Sequence, residues 1–226
     1  MRAPDPVPLR DAPRLVPAGA ALPDLPPSAP RRSYPGWART LGRWLLRVQG
    51  WRFVGGFPDR SQFVMIGAPH TSNWDAVVGF AATAVCGIGF NVFAKRQAFV
   101  WPFGPFLHLF GGVPVDRDAP GGLVGGAVER LQRGAPMAVA ITPEGTRSRV
   151  ERWKTGFHRI AVAAGVPIVV VVLDWGRREI GVAGTLDPSG DLDADLGAIG
   201  ALLDGVEGKH PERQTLPAPT LPPRRP

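Results

Sequence analysis

Two short segments of this 226-residue chain hold side chains whose types and spacing can do chemistry. In the first, PHTSNWD at residues 69–75, Ser72 suits a helix N-cap, and Asp75 three residues on suits the reciprocal position of a capping box. His70 then stands in the loop just before the helix. As two helical residues five apart, His70 and Asp75 would diverge by about 140°. With His70 outside the helix, its ring can fold back onto the Asp75 carboxylate. A carboxylate on one imidazole nitrogen fixes the tautomer and leaves the other nitrogen as a base. The plainer alternative is that Asp75 only caps the helix and His70 is a polar loop residue.

The second segment is TPEGTRS, residues 142–148. Gly145 allows a tight turn, Arg147 offers a guanidinium fork suited to a phosphate, and Thr146 with the local N–H groups can add donors. No GxxxxGK[ST] is present, so it is not a P-loop. The alternative here is a Glu144–Arg147 surface ion pair within a turn. A weaker third segment, GGVPVDR at residues 111–117, places Arg117 just beyond a short apolar run. Lys95, Arg117, Arg147 and the His70–Asp75 pair all fall at strand-to-loop junctions, which predicts a cleft for an anionic substrate. His108, His158 and His210 are scattered and form no metal-binding pattern. Cys86 and Ser72 lack a nucleophile's setting, because there is no GxSxG elbow.

Short apolar runs alternating with helical stretches would position these residues. Strands are predicted at 63–68, 88–94, 113–115, 137–142, 168–173 and 179–183, and helices at 73–86, 123–133, 156–164 and 194–203. Residues 101–112, WPFGPFLHLFGG, read as an aromatic segment broken by Pro and Gly. IVVVVL at 168–173 is apolar on both alternations, so it is a central strand. Strands alternating with helices imply one α/β domain with a mostly parallel central sheet flanked by helices. Ligands of such sheets gather beyond the carboxyl ends of the strands, where the PHTSNWD and TPEGTRS loops can converge.

Composition sets the boundaries. Of the 26 Pro, ten lie in residues 1–35 and six in residues 211–226, so both segments are expected to be disordered tails around a domain at 61–210. The net charge of +7 comes from the tails, +2 each, and from residues 36–60, +4, while residues 61–210 carry −1. A domain without a basic stripe does not fit nucleic acid. The lone Cys86 excludes a disulfide framework, and no signal peptide is visible, so a cytoplasmic chain is expected. The 19 uncharged residues 76–94 approach the length of a membrane span, but Gly79, Gly87 and Gly89 divide them into a buried helix, a turn and a strand. Upstream, Trp37, Leu41, Trp44, Leu45, Val48 and Trp51 share a helical arc of about 120°, flanked by Arg39, Arg43 and Arg47. Residues 37–52 therefore read as an N-terminal amphipathic helix that docks either on a membrane surface or on its own domain.

With these residues in view, the chain resembles the glycerolipid acyltransferases, the lysophosphatidic acid acyltransferase family. HTSNWD matches that family's H-x4-D motif, GGVPVDR resembles its second block, and PEGTRS followed by WKTG resembles its third. AGVPIVVVV resembles the fourth, and the blocks appear in the family's order across about residues 60–175. The resemblance implies a glycerol-3-phosphate acyltransferase-like fold. In it, His70, oriented by Asp75, is the general base on an acceptor hydroxyl that attacks an acyl thioester directly. Arg147, with Glu144, Gly145 and Thr146, would hold the acceptor's phosphate, Arg117 would assist, and Pro167 with its strand and Lys95 would shape the site. The donor would be acyl-CoA or an acylated carrier protein, with no further cofactor and no metal. The acceptor would be a lysophospholipid such as 1-acyl-glycerol 3-phosphate, reached by a protein peripherally bound to the inner face of the membrane. A non-glycerolipid acceptor, a non-catalytic membrane-binding module and a thioester hydrolase are the alternatives on the same fold.

Overall fold

The computed structural model describes residues 25–100, 103–115 and 122–217. Helix α1 (Gly36–Val48) leads into strands β1 (Arg52–Val54) and β2 (Gln62–Ala68), helix α2 (Asn73–Cys86), β3 (Asn91–Lys95), α3 (Phe103–Leu109) and β4 (Gly112–Val115). Then follow α4 (Gly122–Gln132), β5 (Met137–Ile141), α5 (Gly156–Ala164), β6 (Ile168–Asp174), β7 (Glu179–Leu186) and α6 (Leu192–Leu202). The strands form one sheet in the order β1-β7-β6-β2-β5-β3-β4. Every neighbouring pair is parallel except β6 and β7.

Period-two alternation sends each central strand into two cores. On one face Val64, Ile66 and Ala68 of β2 and Ile168, Val170 and Val172 of β6 pack with Leu131, Phe157, Ile160 and Ile199 of α4, α5 and α6. On the other face Phe63, Val169 and Ala138 join Ile88 and Phe90. Burial on both faces is why 168–173 contains no polar position. The opposite face is covered by α2 and, outside it, α1, whose Leu46 clusters with Val78, Ala82 and Val85.

Local chemistry sets the ends of α2. Ser72 Oγ accepts from the Trp74 N–H, and both halves of the capping box with Asp75 are formed. At the other end Gly87 takes the left-handed conformation, φ 77°, and closes the helix through its N–H to the Thr83 carbonyl. The uncharged run at 76–94 is thus the greater part of a 14-residue helix, a turn and a strand. Among the described residues no helix is long and apolar enough to cross a membrane.

Four expectations change. The chain from residue 25 packs on the domain: Leu25 and Ala29 are buried, and the Arg32 guanidinium donates to the carbonyls of His108, Leu109 and Phe90. Residues 1–24 and 218–226 lie outside the described residues. Pairing of β3 starts at Asn91 rather than residue 88, because the backbone at 87–89 bonds instead to Pro30 and Arg32. The Pro-broken aromatic segment forms α3, with Pro105 in the first turn, where its missing N–H matters little. At the other end, residues 211–217 are held to the domain by Gln214 and Thr215.

The amphipathic helix docks on its own domain through one face and leaves the other exposed. Ala38, Gly42 and Leu46 face inward, while Trp37, Leu41, Trp44 and Val48 stay 64%, 51%, 61% and 66% exposed. Trp51, grouped with them by periodicity, lies past the helix end and is buried against Trp175. Close approach of α1 to α2 depends on Gly42, where a Cβ would sit 2.9 Å from the Ala81 carbonyl oxygen and 3.1 Å from Val85. Gly42→Val should lower stability by about 1–3 kcal/mol, the usual scale of overpacking. Gly36→Ala, with nothing within 4 Å of its Cβ, should change little. Thermal unfolding of the two variants checks this, and equal melting temperatures would contradict it.

Candidate active site

The chain leaves β2 through a cis Ala68–Pro69 peptide and enters the loop that carries His70. Asp75, in the first turn of α2, is only 4% exposed. Its Oδ2 accepts the backbone N–H groups of Thr71 at 2.7 Å and Ser72 at 2.8 Å, and lies 3.2 Å from His70 Nδ1. Its Oδ1 accepts the indole N–H of Trp175 at 2.8 Å. Burial works to raise the Asp75 carboxyl, but the bonds from His70, Ser72, Trp175 and Thr71 outweigh it and hold the group below the usual carboxylate range. An ionised carboxylate on Nδ1 leaves Nε2 of His70 with its lone pair facing away from Asp75. Asp75 therefore caps the helix and also orients His70.

The TPEGTRS loop follows β5, whose neighbour in the sheet is β2. Glu144, expected to hold the acceptor, is instead 3% exposed, and its Oε1 accepts the backbone N–H of His70 at 3.0 Å. It ties the two loops together rather than facing the rim. Among the described residues its buried Oε2 has no hydrogen-bond partner, and burial pushes this carboxyl up against the lowering effect of its bonds. A Glu144–Arg147 surface pair is thereby ruled out. Gly145 turns with φ 66°, its N–H bonded to the Thr142 carbonyl, and the Lys154 side chain lies over it. Thr146 and Arg147 are exposed, and among the described residues Arg147 has no ion-pair partner.

Other expected positions fall elsewhere. Arg117 and the Lys95 side chain lie outside the described residues, although the Lys95 backbone ends β3 at the same edge of the sheet. Pro167 sits at the opposite edge: its carbonyl accepts the Val64 N–H before β6 begins, whereas His70 lies past Ala68, which pairs with Val172. It therefore shapes the core and not the site. Cys86 lines a cavity, with its thiol pushed up to about 12 by burial, a poor nucleophile. His158 pairs with Asp195 at 2.7 Å between α5 and α6, a buried structural link. Among the described residues no three His, Cys, Asp or Glu side chains converge as a metal site would require.

Beside the dyad a cavity of about 350 Å³ opens between α2 and the sheet. His70 and Asp75 line it, and the rest of the wall is mainly apolar, with Phe80, Phe90 and Leu173 beside the small Gly67, Gly79 and Ala140. A Cβ at Gly67 or Gly79 would meet nothing within 4 Å, so these glycines leave space that larger residues would fill. An imidazole–carboxylate pair beside a largely apolar cavity, with an exposed guanidinium on the adjoining loop, suits chemistry on a long apolar substrate.

The family model named Acyltransferase matches residues 54–174, more than half of the chain. The chain belongs to the acyltransferase family. His70, Asp75 and Glu144–Arg147 all lie inside the matched segment. No curated protein matches the chain by sequence. In structure it is similar to the crystal structure of the 1-acyl-sn-glycerophosphate (LPA) acyltransferase PlsC from Thermotoga maritima, with a TM-score of 0.53 and 20% identity. The match covers 75% of this chain and 77% of that one, and it supports the α/β fold.

Sequence reasoning missed two parts of this acyltransferase's site. One is Trp175. The other is the segment after α6, where the His210 N–H donates to Thr71 Oγ1 and Thr215 bonds Val150 and Trp153, strapping the chain across both loops. Only the position of Trp175, just past the carboxyl end of a central strand, signalled it.

The two carboxylates should respond oppositely to pH. Asp75 is lowered, so its stabilisation is present above its unfolded value near 3.9 and is lost as pH falls through the folded one. Glu144 is raised, so stability is lost as pH rises from its unfolded value near 4.3 through the folded one. In urea unfolding from about pH 3 to pH 8, the deficit of Asp75→Asn against wild type should therefore shrink toward acid. The relative stability of Glu144→Gln should grow toward neutral pH. Parallel pH curves for both variants and wild type would contradict the assignment.

Proposed function

We propose that this acyltransferase moves a fatty acyl group from an acyl thioester, of CoA or a carrier protein, to the hydroxyl of a lysophospholipid such as 1-acyl-glycerol 3-phosphate. The observation that carries the reading is the His70–Asp75 dyad at the mouth of the apolar cavity. Nε2 of His70 takes the acceptor's proton as its oxygen attacks the thioester carbonyl. The new C–O bond forms, the C–S bond breaks, and the proton passes from His70 to the departing thiolate. No residue becomes acylated. Arg147, exposed on the adjoining loop, would take the acceptor's phosphate as a bidentate fork. The Thermotoga maritima protein similar in structure is described as acting on 1-acyl-sn-glycerophosphate, which favours this acceptor.

The cavity takes the donor's chain. From Asp75 to Cys86 the helix that roofs it spans about 16 Å at about 1.5 Å per residue. An extended hydrocarbon advances about 1.3 Å per carbon, from C–C bonds of about 1.5 Å at tetrahedral angles, so the slot accommodates about a dozen carbons. The exposed Trp37, Leu41, Trp44 and Val48 of α1, flanked by Arg39, Arg43 and Arg47, form the surface that meets the cytoplasmic leaflet. α1 runs antiparallel to α2, with Gly42 beside Ala81 and Val85 and Trp51 near Asp75 through Trp175. Trp74 and Val77 of α2, also exposed, extend this surface toward His70.

Purified protein, an acyl-CoA series and a panel of lysophospholipids, with products read by mass spectrometry, test the reaction. The expected product is a diacyl phospholipid acid, and release of free fatty acid alone would instead show a hydrolase. Gly79→Leu should shift the preference to shorter donors while sparing the shortest, and an unchanged chain-length profile would remove the cavity from donor binding. Wild type should co-sediment with anionic vesicles, less so as salt rises. The combined change of Trp37, Leu41 and Trp44 to Ser should release the protein but spare activity on a detergent-dispersed acceptor. Unaltered sedimentation of that variant would contradict the membrane reading.

A further inference from the structure

We infer that Trp175 is a positioning residue for the transfer reaction: its indole N–H locks the rotation of the Asp75 carboxylate and so aims His70. The inference rests on the general-base reading of His70. Trp175 lies one residue beyond the segment matched by the family model, which ends at 174.

Three groups share one oxygen of Asp75, and the indole adds a fourth on the other. Both backbone donors, Thr71 and Ser72, and the His70 ring all meet Oδ2. The terminal torsion of a carboxylate is soft, and turning it displaces both oxygens together, so a donor on Oδ1 adds to the resistance of those on Oδ2. Each turn would swing the Oδ2 lone pairs away from His70 Nδ1. The indole N–H at 2.8 Å is the described partner of Oδ1, and it arrives from 100 residues away in the chain. Held at both oxygens, the carboxylate plane is stiffened, and with it the direction in which Oδ2 meets the imidazole.

The indole is itself held firmly. Its backbone N–H donates to the Glu207 carbonyl at 2.8 Å, and the preceding residue, Asp174, accepts the Arg177 N–H and guanidinium across the turn. Trp51 packs against the ring edge-on at 4.9 Å between centroids. Lys209 Nζ lies 4.2 Å and Arg178 Cζ 5.0 Å from the ring centroid. Cations against the π system polarise the indole and strengthen its N–H as a donor.

Replacing Trp175 with 3-benzothienylalanine keeps the ring shape and puts sulfur where the N–H was. Trp175→Phe is the ordinary companion variant. Partners behind a working imidazole act on the scale of about 10- to 100-fold, so kcat should fall by at least about tenfold. KM for donor and acceptor should stay within about twofold, because neither substrate touches this bond. In a His70→Ala background the same replacement should cause no further loss, since residues acting as one unit are not additive. Full activity of the benzothienyl protein, a change carried by KM, or an equal further loss without His70 would each overturn the inference. So would a benzothienyl protein that fails to fold, which would make the bond structural. His70→Ala with wild-type rates would overturn the general-base reading itself and this inference with it, whereas an inactive His70→Ala beside an unaffected Trp175 variant overturns this inference alone.

Discussion

A carboxylate buried to 4% exposure and kept ionised is the constraint on which this molecule is built. Taking such a charge out of water costs several kcal/mol unless donors surround it. Asp75 finds them in two places: the loop after β2, which supplies His70, Thr71 and the N-cap Ser72, and the turn after β6, which supplies Trp175. Hydrogen bonds to a charged group contribute about 1.5–3 kcal/mol each, enough together to offset its burial. The same bonds that satisfy the charge fix where His70 can lie. Helix cap, loop conformation and orientation of the base are one arrangement seen from three sides.

Glu144 extends that arrangement to the neighbouring strand. Its oxygen on the His70 N–H makes the β5 loop part of the support for His70, so the loop that carries Arg147 and the loop that carries His70 are tied together. Charged groups on the cavity wall are at this end. Behind it, Gly67, Gly79 and Ala140 leave open space where Val or Leu would have completed an ordinary core. The α2 helix serves both parts, its first turn holding the dyad and its later turns roofing the slot.

What was legible in the sequence was local. Helix α2 reads correctly at both ends because Ser72, Asp75 and Gly87 carry their conformational demands in their own side chains, or in the lack of one. The two-sided burial of β6 is visible in an unbroken β-branched run. The His70–Asp75 pairing follows from the cap. Contacts across long stretches of chain left no such mark. Glu144 looked like a rim residue because nothing nearby shows that its partner is a backbone N–H 74 positions earlier. Trp175 resembled any aromatic in a turn. Pro167 was carried to the site by family likeness, although parallel pairing of β6 with β2 puts it at the far edge. The Pro-rich segment from residue 25 looked like a tail because its anchors, the carbonyls of Phe90, His108 and Leu109, are backbone groups.

The central claim is that Asp75 holds His70 with Nδ1 as the donor and Nε2 free as the base. Side-chain ¹⁵N NMR of the four histidines tests it directly, with the His70 signals assigned by their loss in His70→Ala. At a pH where the ring is neutral, the account predicts a protonated Nδ1 and an unprotonated Nε2 for His70. A neutral His70 carrying its proton on Nε2 would contradict it.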